Sequence, residues 1–486
     1  MFCENGAQAA KIAAVRDDCP DLEQVVVMAG APGPDAITLE QLLRQGMAVD
    51  DEALETRIAA ATGDDLATLV YTSGTTGPAK GCMLTHANFL AATRMYRDQL
   101  LLDEVQPVIY MFLPLAHVLA RLTQVVVIDV GGTIVYWSGD PKAIVNELAN
   151  AAPTHVPAVP RIYEKIHTAV LDNIEVQVPL VGGVLLRWAV AQGRHARAAQ
   201  RAGCRLTPLA ALQHHVADRL VLARVRHAFG DRLVMALVGA APIAPDLIAF
   251  FDACGVLLLE GYGMTESCSS ATLNPARAPR AGTVGHPLPD CEVTVAPDGE
   301  IMLRGPHIFA GYFHDPDATE GAFDADGRLR TGDLGTLSDD GYLTITGRKK
   351  DLIITSSGKN VTPSNIESAL RETRWVSEAV VYGDQRPYLV CLLTLDPDEA
   401  PKLAEHLGLP PDTRGLALDA RVHAALQRDV DAVNEQFARI EQIKRFAILD
   451  GDLTQAGGEL TPTLKVKRDV VYDRYADIFD DLYTQG

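Results

Sequence analysis

The sequence is short of basic residues, has no paired cysteines and contains no long uncharged apolar run. Lys and Arg total 43 against 63 Asp and Glu, for a net charge of -20. A chain this acidic repels a phosphate backbone everywhere except at a local basic patch, which excludes a general nucleic-acid binder. The eight cysteines (Cys3, Cys19, Cys82, Cys204, Cys254, Cys268, Cys291 and Cys391) are scattered, with no CxxC pair. Their spacing excludes a disulfide framework and a zinc ribbon and suits a reducing cytoplasm. A membrane-spanning helix needs about 20 consecutive apolar residues. The best stretches fall short: 125–137 holds Asp129 and two glycines, and 176–190 holds a proline, two glycines and Arg187. The N-terminus carries Glu4 and lacks the basic-then-apolar order of a signal peptide. It reads instead as a helix over 7–15 entering a strand over 25–28.

What is present is enough for several cores. At 486 residues the chain exceeds one ordinary domain of roughly 100–200 residues. Hydrophobic residues make up 48% and charged residues 22%, a globular balance. Strand patterns at 66–71, 108–112, 133–137, 233–238 and 256–259 are interleaved with helical patterns at 87–102 and 141–150. That alternation predicts an α/β fold layered around a largely parallel sheet. From 290 to 346 the pattern shifts to short strands between Pro, Gly and Asp turns, as an antiparallel sheet or small barrel would give. After Gly347 a compact α+β pattern follows: a strand at 352–355, a helix opened by Thr362 and Pro363, strands at 379–382 and 388–395, and a helix over 421–442. The division expected is a large N-terminal domain at 1–347, with a β-barrel-like subdomain at 290–346, and a small mobile C-terminal domain at 348–486.

One stretch opposes the overall charge. Between 185 and 233 stand nine arginines (Arg187, Arg194, Arg197, Arg201, Arg205, Arg219, Arg224, Arg226 and Arg232) against Asp218 and Asp231. It reads either as a pair of solvated helices or as a surface for anions, such as lipid headgroups in a peripheral membrane contact or coenzyme phosphates.

The segment Tyr71-Thr72-Ser73-Gly74-Thr75-Thr76-Gly77-Pro78-Ala79-Lys80-Gly81 places three glycines, four Ser or Thr hydroxyls and a lysine in eleven positions, after a strand and before a helix. Backbone N–H groups can approach an anion where no Cβ intervenes, hydroxyls add donors, and Lys80 adds charge. The Walker pattern of Gly-Lys-Ser/Thr is absent, because Lys80 lies between Ala79 and Gly81.

Thr72 to Gly81 resembles the phosphate loop of the adenylate-forming (AMP-binding) superfamily, which includes the acyl-CoA synthetases. Gly261-Tyr262-Gly263-Met264-Thr265-Glu266 resembles its adenine-and-magnesium motif, and Thr331-Gly332-Asp333 its ribose motif. Gly347-Arg348-Lys349-Lys350-Asp351 resembles the hinge, and 460–468 (LTPTLKVKR) the C-terminal lysine motif of long-chain members. The motifs occur in family order.

The resemblance implies a cofactor site of Thr72, Ser73, Gly74, Thr75, Thr76, Gly77 and Lys80 on the phosphates, with Gly239, Ala240, Ala241, Gly261, Tyr262, Gly263 and Thr265 about the adenine. Asp333, in a Gly-flanked turn, and Arg348 would hold the ribose. Glu266 and Thr72 would hold Mg²⁺, and Lys350 would be the hinge. Lys465 would bridge substrate carboxylate and α-phosphate, with Lys467 as a close rival two residues on. Phe112-Leu113-Pro114-Leu115-Ala116-His117 resembles a segment of long-chain synthetases. There His117 would orient the carboxylate and thiol, or else be a core histidine. The stretch 108–115 has no acid to hold a substrate ammonium, which favours a plain carboxylic acid with an apolar tail.

The implied activity is ATP- and Mg²⁺-dependent ligation of a long-chain fatty acid to coenzyme A through an acyl-adenylate, in the cytoplasm. An acyl-AMP ligase serving a carrier protein is the alternative within the class. A homologue that binds nucleotide or acyl chain without turnover is the alternative outside it, since the region before Tyr71 is shorter than the family usually carries.

Overall fold

A computed structural model describes residues 1–72, 79–140, 143–177, 182–410, 413–461 and 465–484. Met1–Asp65 is one compact unit and Leu66–Gly486 another. In the first, strands β1 (Phe2–Asn5), β2 (Val25–Ala29) and β3 (Ala36–Thr38) form a parallel sheet in that order. Helix α1 (Gly6–Ala13) is capped by Asn5, whose side-chain Oδ1 accepts from the N–H groups of Ala7 and Gln8. Cys3, Ala9, Val25 and Val27 make its small core. Helices α2 (Leu39–Gly46) and α3 (Asp51–Ala60) complete the unit.

The second unit opens on strands β4 (Leu66–Thr72) and β5 (Lys80–Thr85), which pair antiparallel. The glycine-rich segment is therefore the connection of a hairpin, not a strand-to-helix turn. A run of short polar residues punctuated by Gly and Pro reads alike in both settings. Helix α4 (His86–Arg97) follows, closed at its start by a capping box between Thr85 and Asn88. It ends five residues earlier than the pattern predicts. The N–H of Leu102 reaches the Arg97 carbonyl and that of Leu101 reaches Asp98, with Leu101 at φ 54°. This is a Schellman stop made without glycine, held by burial of Leu100 and Leu102.

A seven-stranded sheet forms the centre. Its elements are β6 (Val108–Met111), α5 (Val118–Asp129), β7 (Thr133–Tyr136), α6 (Ile144–Ala151), β8 (His155–Ala158), α7 (Pro160–Gln177), α8 (Gly182–Arg201), α9 (Pro208–Ala217), α10 (Ala223–His227), β9 (Met235–Val238), α11 (Pro245–Ala253), β10 (Leu258–Tyr262), β11 (Thr272–Leu273) and β12 (His286–Pro287). The strand order is β12-β11-β10-β9-β8-β6-β7, parallel from β10 to β7 and antiparallel at β11 and β12. The order reverses at β6, between β7 and β8, and ligands of such sheets bind outside the carboxyl ends of the strands near that switch. Strand β8 escapes the sequence pattern because Pro157 stands inside it, where a central strand ordinarily excludes proline.

Beyond it, β13 (Glu292–Val295) and β14 (Glu300–Arg304) pair antiparallel, β15 (Gly311–Tyr312) adds to β5, and helix α12 (Pro316–Gly321) follows. Strands β16 (Leu329–Leu337) and β17 (Leu343–Arg348) complete a four-stranded antiparallel sheet in the order β13-β14-β16-β17.

The C-terminal part holds a two-stranded ribbon, β18 (Ile353–Ile354) with β19 (Asn360–Val361), then helix α13 (Pro363–Arg371). Thr362 is the N-cap as expected, although its side chain makes no capping bond. Next come β20 (Val376–Tyr382), β21 (Leu389–Leu395), α14 (Ala400–Leu407), α15 (Thr413–Leu418), α16 (Ala420–Asn434), β22 (Ile443–Ile448), α17 (Arg468–Arg474) and α18 (Ala476–Thr484). The helix expected over 421–442 stops at Asn434 because that side chain turns to bond both the carbonyl and the N–H of Ile443 at the start of β22. Among the described residues no helix is long and apolar enough to cross a membrane.

Candidate active site

Nine of the residues singled out in the sequence lie at or after the ends of strands of the central sheet. His117 follows β6 and is the N-cap position of α5. Gly239 and Ala240 follow β9, with Ala240 held at φ 70°, a left-handed conformation that costs an alanine about 1–2 kcal/mol. Gly239 packs against the next strand: a Cβ there would lie 3.2 Å from the Gly261 carbonyl oxygen. Ala241 is exposed beside them. At the end of β10, a Cβ on Gly263 would fall 2.4 Å from the backbone of Ser269, so only glycine lets the turn carrying Thr265 and Glu266 fold back this tightly.

Glu266 is 7% exposed, and its carboxylate accepts a hydrogen bond from the Tyr312 hydroxyl at 2.8 Å. Tyr312, not foreseen as a site residue, is brought here by the pairing of β15 with β5, opposite Cys82. The Lys80 ammonium lies 5.0 Å from the centre of the same ring, in cation–π contact. Thr72 faces Lys80 across the hairpin and donates to its carbonyl at 3.4 Å. The Cys82 thiol interacts with Thr72 and Glu266 alike, and burial followed by the Glu266 charge pushes its pKa up. Thr72, Lys80 and Glu266 are thus one cluster joined through Tyr312 and Cys82. Ser73, Gly74, Thr75, Thr76 and Gly77 lie outside the described residues.

A second cluster stands on the antiparallel sheet. Asp333 lies within strand β16, not in a turn, and its register partner on β17 is Arg348. Gly332, at φ 70°, and a register shift after Leu334 give this strand its turn-like sequence. One Asp333 oxygen accepts from Arg348 Nε at 2.7 Å and the other from the Tyr262 hydroxyl at 2.7 Å. A carboxylate has about four lone-pair positions, so two remain for a ligand. Burial and then Asp333 raise the Tyr262 pKa far above the phenol range, and the ring is 9% exposed. Burial opposes the charge on Arg348, but Asp333 outweighs it and its pKa is raised. Behind them Glu300 accepts from the Gly332 N–H at 3.0 Å and from Lys349 at 3.0 Å.

Lys465 lies within electrostatic reach of residues in both clusters. It is held by Thr461, whose N–H donates to the Lys465 carbonyl at 2.8 Å and whose hydroxyl accepts from the Lys465 N–H at 3.0 Å. Downstream, Arg468 forks onto both oxygens of Glu367 on α13, fixing the segment to the C-terminal core. As a residue Lys465 is exposed. Burial about its ammonium and then Arg348 nevertheless lower its pKa, against the pull of Asp333 and Glu266. The His117 pKa is lowered by burial and then by Lys465. Lys467 is instead the N-cap position of α17. Lys350 lies outside the cluster, in an exposed turn after β17. An ion pair also joins α7 to the segment after β21, Arg161 to Asp396 at 2.6 Å.

Glu260, two residues before Tyr262, is a further buried carboxyl. One oxygen has no partner, the other takes the Gly282 N–H, and burial raises its pKa to about 8. A carboxyl that stays protonated in the folded chain while the unfolded chain ionises from about 4.5 lowers stability as pH rises, fully so above about 8. Relative to Glu260→Gln, the wild-type protein is expected to lose on the order of a few kcal/mol between pH 5 and pH 8.5. Denaturant unfolding of both proteins at several pH values measures this; a difference independent of pH would refute it.

Residues 1–313 match the AMP-binding enzyme family, and residues 350–486 match the AMP-binding enzyme C-terminal domain. The long-chain-fatty-acid–CoA ligase FadD15 of Mycobacterium tuberculosis is 37% identical over 491 aligned residues, covering 100% of this chain and 80% of the relative. The long-chain-fatty-acid–CoA ligase ACSBG1 of Rattus norvegicus is 34% identical, covering 98% of this chain and 70% of its own. Among solved structures, the adenylation domain of a carboxylic acid reductase from Segniliparus rugosus, in complex with AMP and a co-purified carboxylic acid, matches with a TM-score of 0.71 at 21% identity, over 99% of this chain and 74% of that one. At that identity the likeness establishes the fold.

Proposed function

The chain belongs to the AMP-binding enzyme family, and from that premise we propose that it ligates long-chain fatty acids to coenzyme A using ATP. The observation that carries the mechanism is the convergence of Lys465 with Arg348, Asp333, Glu266 and His117. The substrate class rests on the relatives named as long-chain-fatty-acid–CoA ligases.

In the first step a carboxylate oxygen attacks the α-phosphorus of ATP, and the bond to the β-phosphate breaks to release pyrophosphate. Two anions must meet, and Lys465 supplies positive charge where they do. The hairpin loop from Thr72 to Lys80 takes the phosphates, the turn Gly239 to Ala241 leaves room for the adenine beside Tyr262, and Asp333 with Arg348 holds the ribose. In the second step the coenzyme thiol attacks the acyl carbon and adenylate leaves with its bonding pair. His117 orients the two reactants, and its lowered pKa keeps its ring neutral near pH 7. Because AMP is a good leaving group, most of the protein's contribution is placement and electrostatics.

Among the described residues no group of three or more His, Cys, Asp or Glu could hold a metal. One buried carboxylate with a hydroxyl nearby fits Mg²⁺, which keeps waters and shares nucleotide oxygens. Glu266 and Thr72 would hold it, and the ion would neutralise phosphate charge. The boundary between the large part, 1–347, and the small part, 348–486, falls at Arg348, with Lys350 as the pivot. The reducing cytoplasm suits the eight free thiols.

The test is ATP–pyrophosphate exchange driven by a long-chain fatty acid, followed by transfer to free coenzyme A or to a phosphopantetheinylated carrier protein. Acid-dependent exchange and transfer to coenzyme A are expected. ATP binding without exchange, or transfer to the carrier alone, would defeat the reading.

A further inference from the structure

Helix α7 begins at Pro160, just after β8, and is fixed to the central sheet by Tyr163, whose hydroxyl donates to the carbonyls of Val156 at 2.7 Å and Leu237 at 3.0 Å. Its first turn holds no acid but does hold Arg161. A cation there opposes the helix macrodipole, so its place is explained by a partner outside that turn. The partner is Asp396, between β21 and α14, at 2.6 Å, while Glu164 on α7 itself lies 3.5 Å from the same guanidinium. Asp396 is held still by its own turn. Its Oδ1 accepts from the N–H groups of Asp398 at 2.8 Å and Glu399 at 3.3 Å, and its N–H donates to the Trp375 carbonyl. Its Oδ2 is given to Arg161, and the side chain is 13% exposed.

Among the described residues this is the one side-chain hydrogen bond or ion pair that joins residues up to Arg348 to residues from Lys350 onward. Its surroundings are acidic on both sides. Glu378 on β20 is paired with Arg371 at 3.4 Å. Burial raises the Glu378 pKa to about 7, with Asp452 and Glu367 adding to the rise and Arg371 and Arg161 opposing it. Glu372, which ends α13, is raised to about 7 by burial and then by Glu164 of α7 and Asp246 of α11, against Arg371. Without Arg161, Glu164 and Asp246 on one side would oppose Glu372, Glu378 and Asp396 on the other, and like charges repel.

The contact is transmitted to Lys465 through the C-terminal core. Strand β21, which leads into Asp396, pairs with β20, and the N–H of Val381 on β20 donates to Glu367 of α13 at 2.8 Å. Glu367 in turn receives the fork of Arg468, three residues after Lys465. We infer that the Arg161–Asp396 bridge is the latch that holds the C-terminal part in the pose bringing Lys465 to the site, which makes Arg161 a positioning residue for adenylate formation. This rests on the two-step ligase reading with its pivot at Lys350. Opening the latch biases the C-terminal part away from the first-step pose, so the first half-reaction slows while the second does not. Damage to the fold would slow both.

The experiment measures the two half-reactions separately in the full chain: pyrophosphate exchange driven by a long-chain fatty acid, and thioester formation from supplied acyl-adenylate and coenzyme A. Arg161→Gln and Asp396→Asn are each expected to slow exchange by about three- to tenfold, between the loss of an exposed ion pair and that of a buried one, while thioester formation holds or rises. Asparagine at 396 keeps an oxygen for the N–H groups of Asp398 and Glu399, so the turn is retained. The double variant is expected to lose little more than either single one, because both remove the same contact. Arg161→Lys, which keeps the charge, is expected to lose less than Arg161→Gln. If thermal unfolding shows one single variant to be misfolded, the other tests the same contact. Both half-reactions falling together in folded variants, additive losses in the double variant, or unchanged exchange in the single ones would overturn the latch. Wild-type protein without acid-dependent exchange would overturn the ligase reading, and the latch with it.

Discussion

Lys465→Ala is expected to lower acyl-adenylate formation by about two to three orders of magnitude, the loss found when a preorganised charge-stabilising donor is removed. Thioester formation from a supplied acyl-adenylate is expected to keep much of its rate. The reason is geometric. Lys465 is the cation that the C-terminal part brings within electrostatic reach of Arg348, Asp333 and Glu266. Arg348 is committed to Asp333 and Lys80 lies against Tyr312. Neither can move to where the substrate carboxylate and the α-phosphate meet without leaving those partners. Lys467→Ala is expected to change exchange little, because that residue stands at the start of α17. Pyrophosphate exchange at saturating ATP and fatty acid measures both variants. Near-normal exchange by Lys465→Ala, or an equal loss in Lys467→Ala, would sink the assignment.

The second large effect concerns Glu266. Glu266→Gln keeps an oxygen that can accept from the Tyr312 hydroxyl, so the buried hydrogen bond at 2.8 Å need not be lost. What disappears is the negative charge. The first half-reaction is expected to slow by at least about a hundredfold at moderate magnesium, with partial recovery as the ion is raised, since a ligand supplied by one carboxylate cannot be replaced by an amide of similar shape. Titration of exchange rate against Mg²⁺ for wild type and variant checks this. Superimposable titration curves would remove Glu266 from the metal site. Tyr312→Phe separates the structural part: it leaves the charge and removes the hydroxyl, so a small change there with a large one in Glu266→Gln isolates the electrostatic contribution.

The alternation of strand and helix was legible because buried parallel strands are short runs of Val, Ile and Leu, as in β6, β9 and β10. Strand β8 was not, because Pro157 carries the opposite local signal and only the surrounding sheet overrides it. Asp333 and Arg348 were legible as separate motifs. Their direct pairing was not, since register depends on the bulge after Leu334, which no side-chain pattern announces. Tyr312 and Cys82 escaped for a related reason. Neither residue type is distinctive, and their place beside Glu266 exists only once β15 has paired with β5. Lys465 and Lys467 were both legible as candidates, and the fold gives them different settings: Thr461 bonds the Lys465 backbone, while Lys467 opens α17.

The ladder position of Arg348 has a kinetic meaning. It is the last residue of β17, and Asp333 opposes it on β16, so the proposed grip on the ribose would be complete before the chain reaches Lys350. In the proposed mechanism, a rotation pivoting there would carry Lys465 away and break the Arg161 to Asp396 bridge, yet would leave the Tyr262, Asp333 and Arg348 trio intact. On that reading the enzyme would exchange Lys465 for an open path to the thiol without loosening its hold on the adenylate. The reactive anhydride would then stay anchored during the swing, when escape into water would waste it.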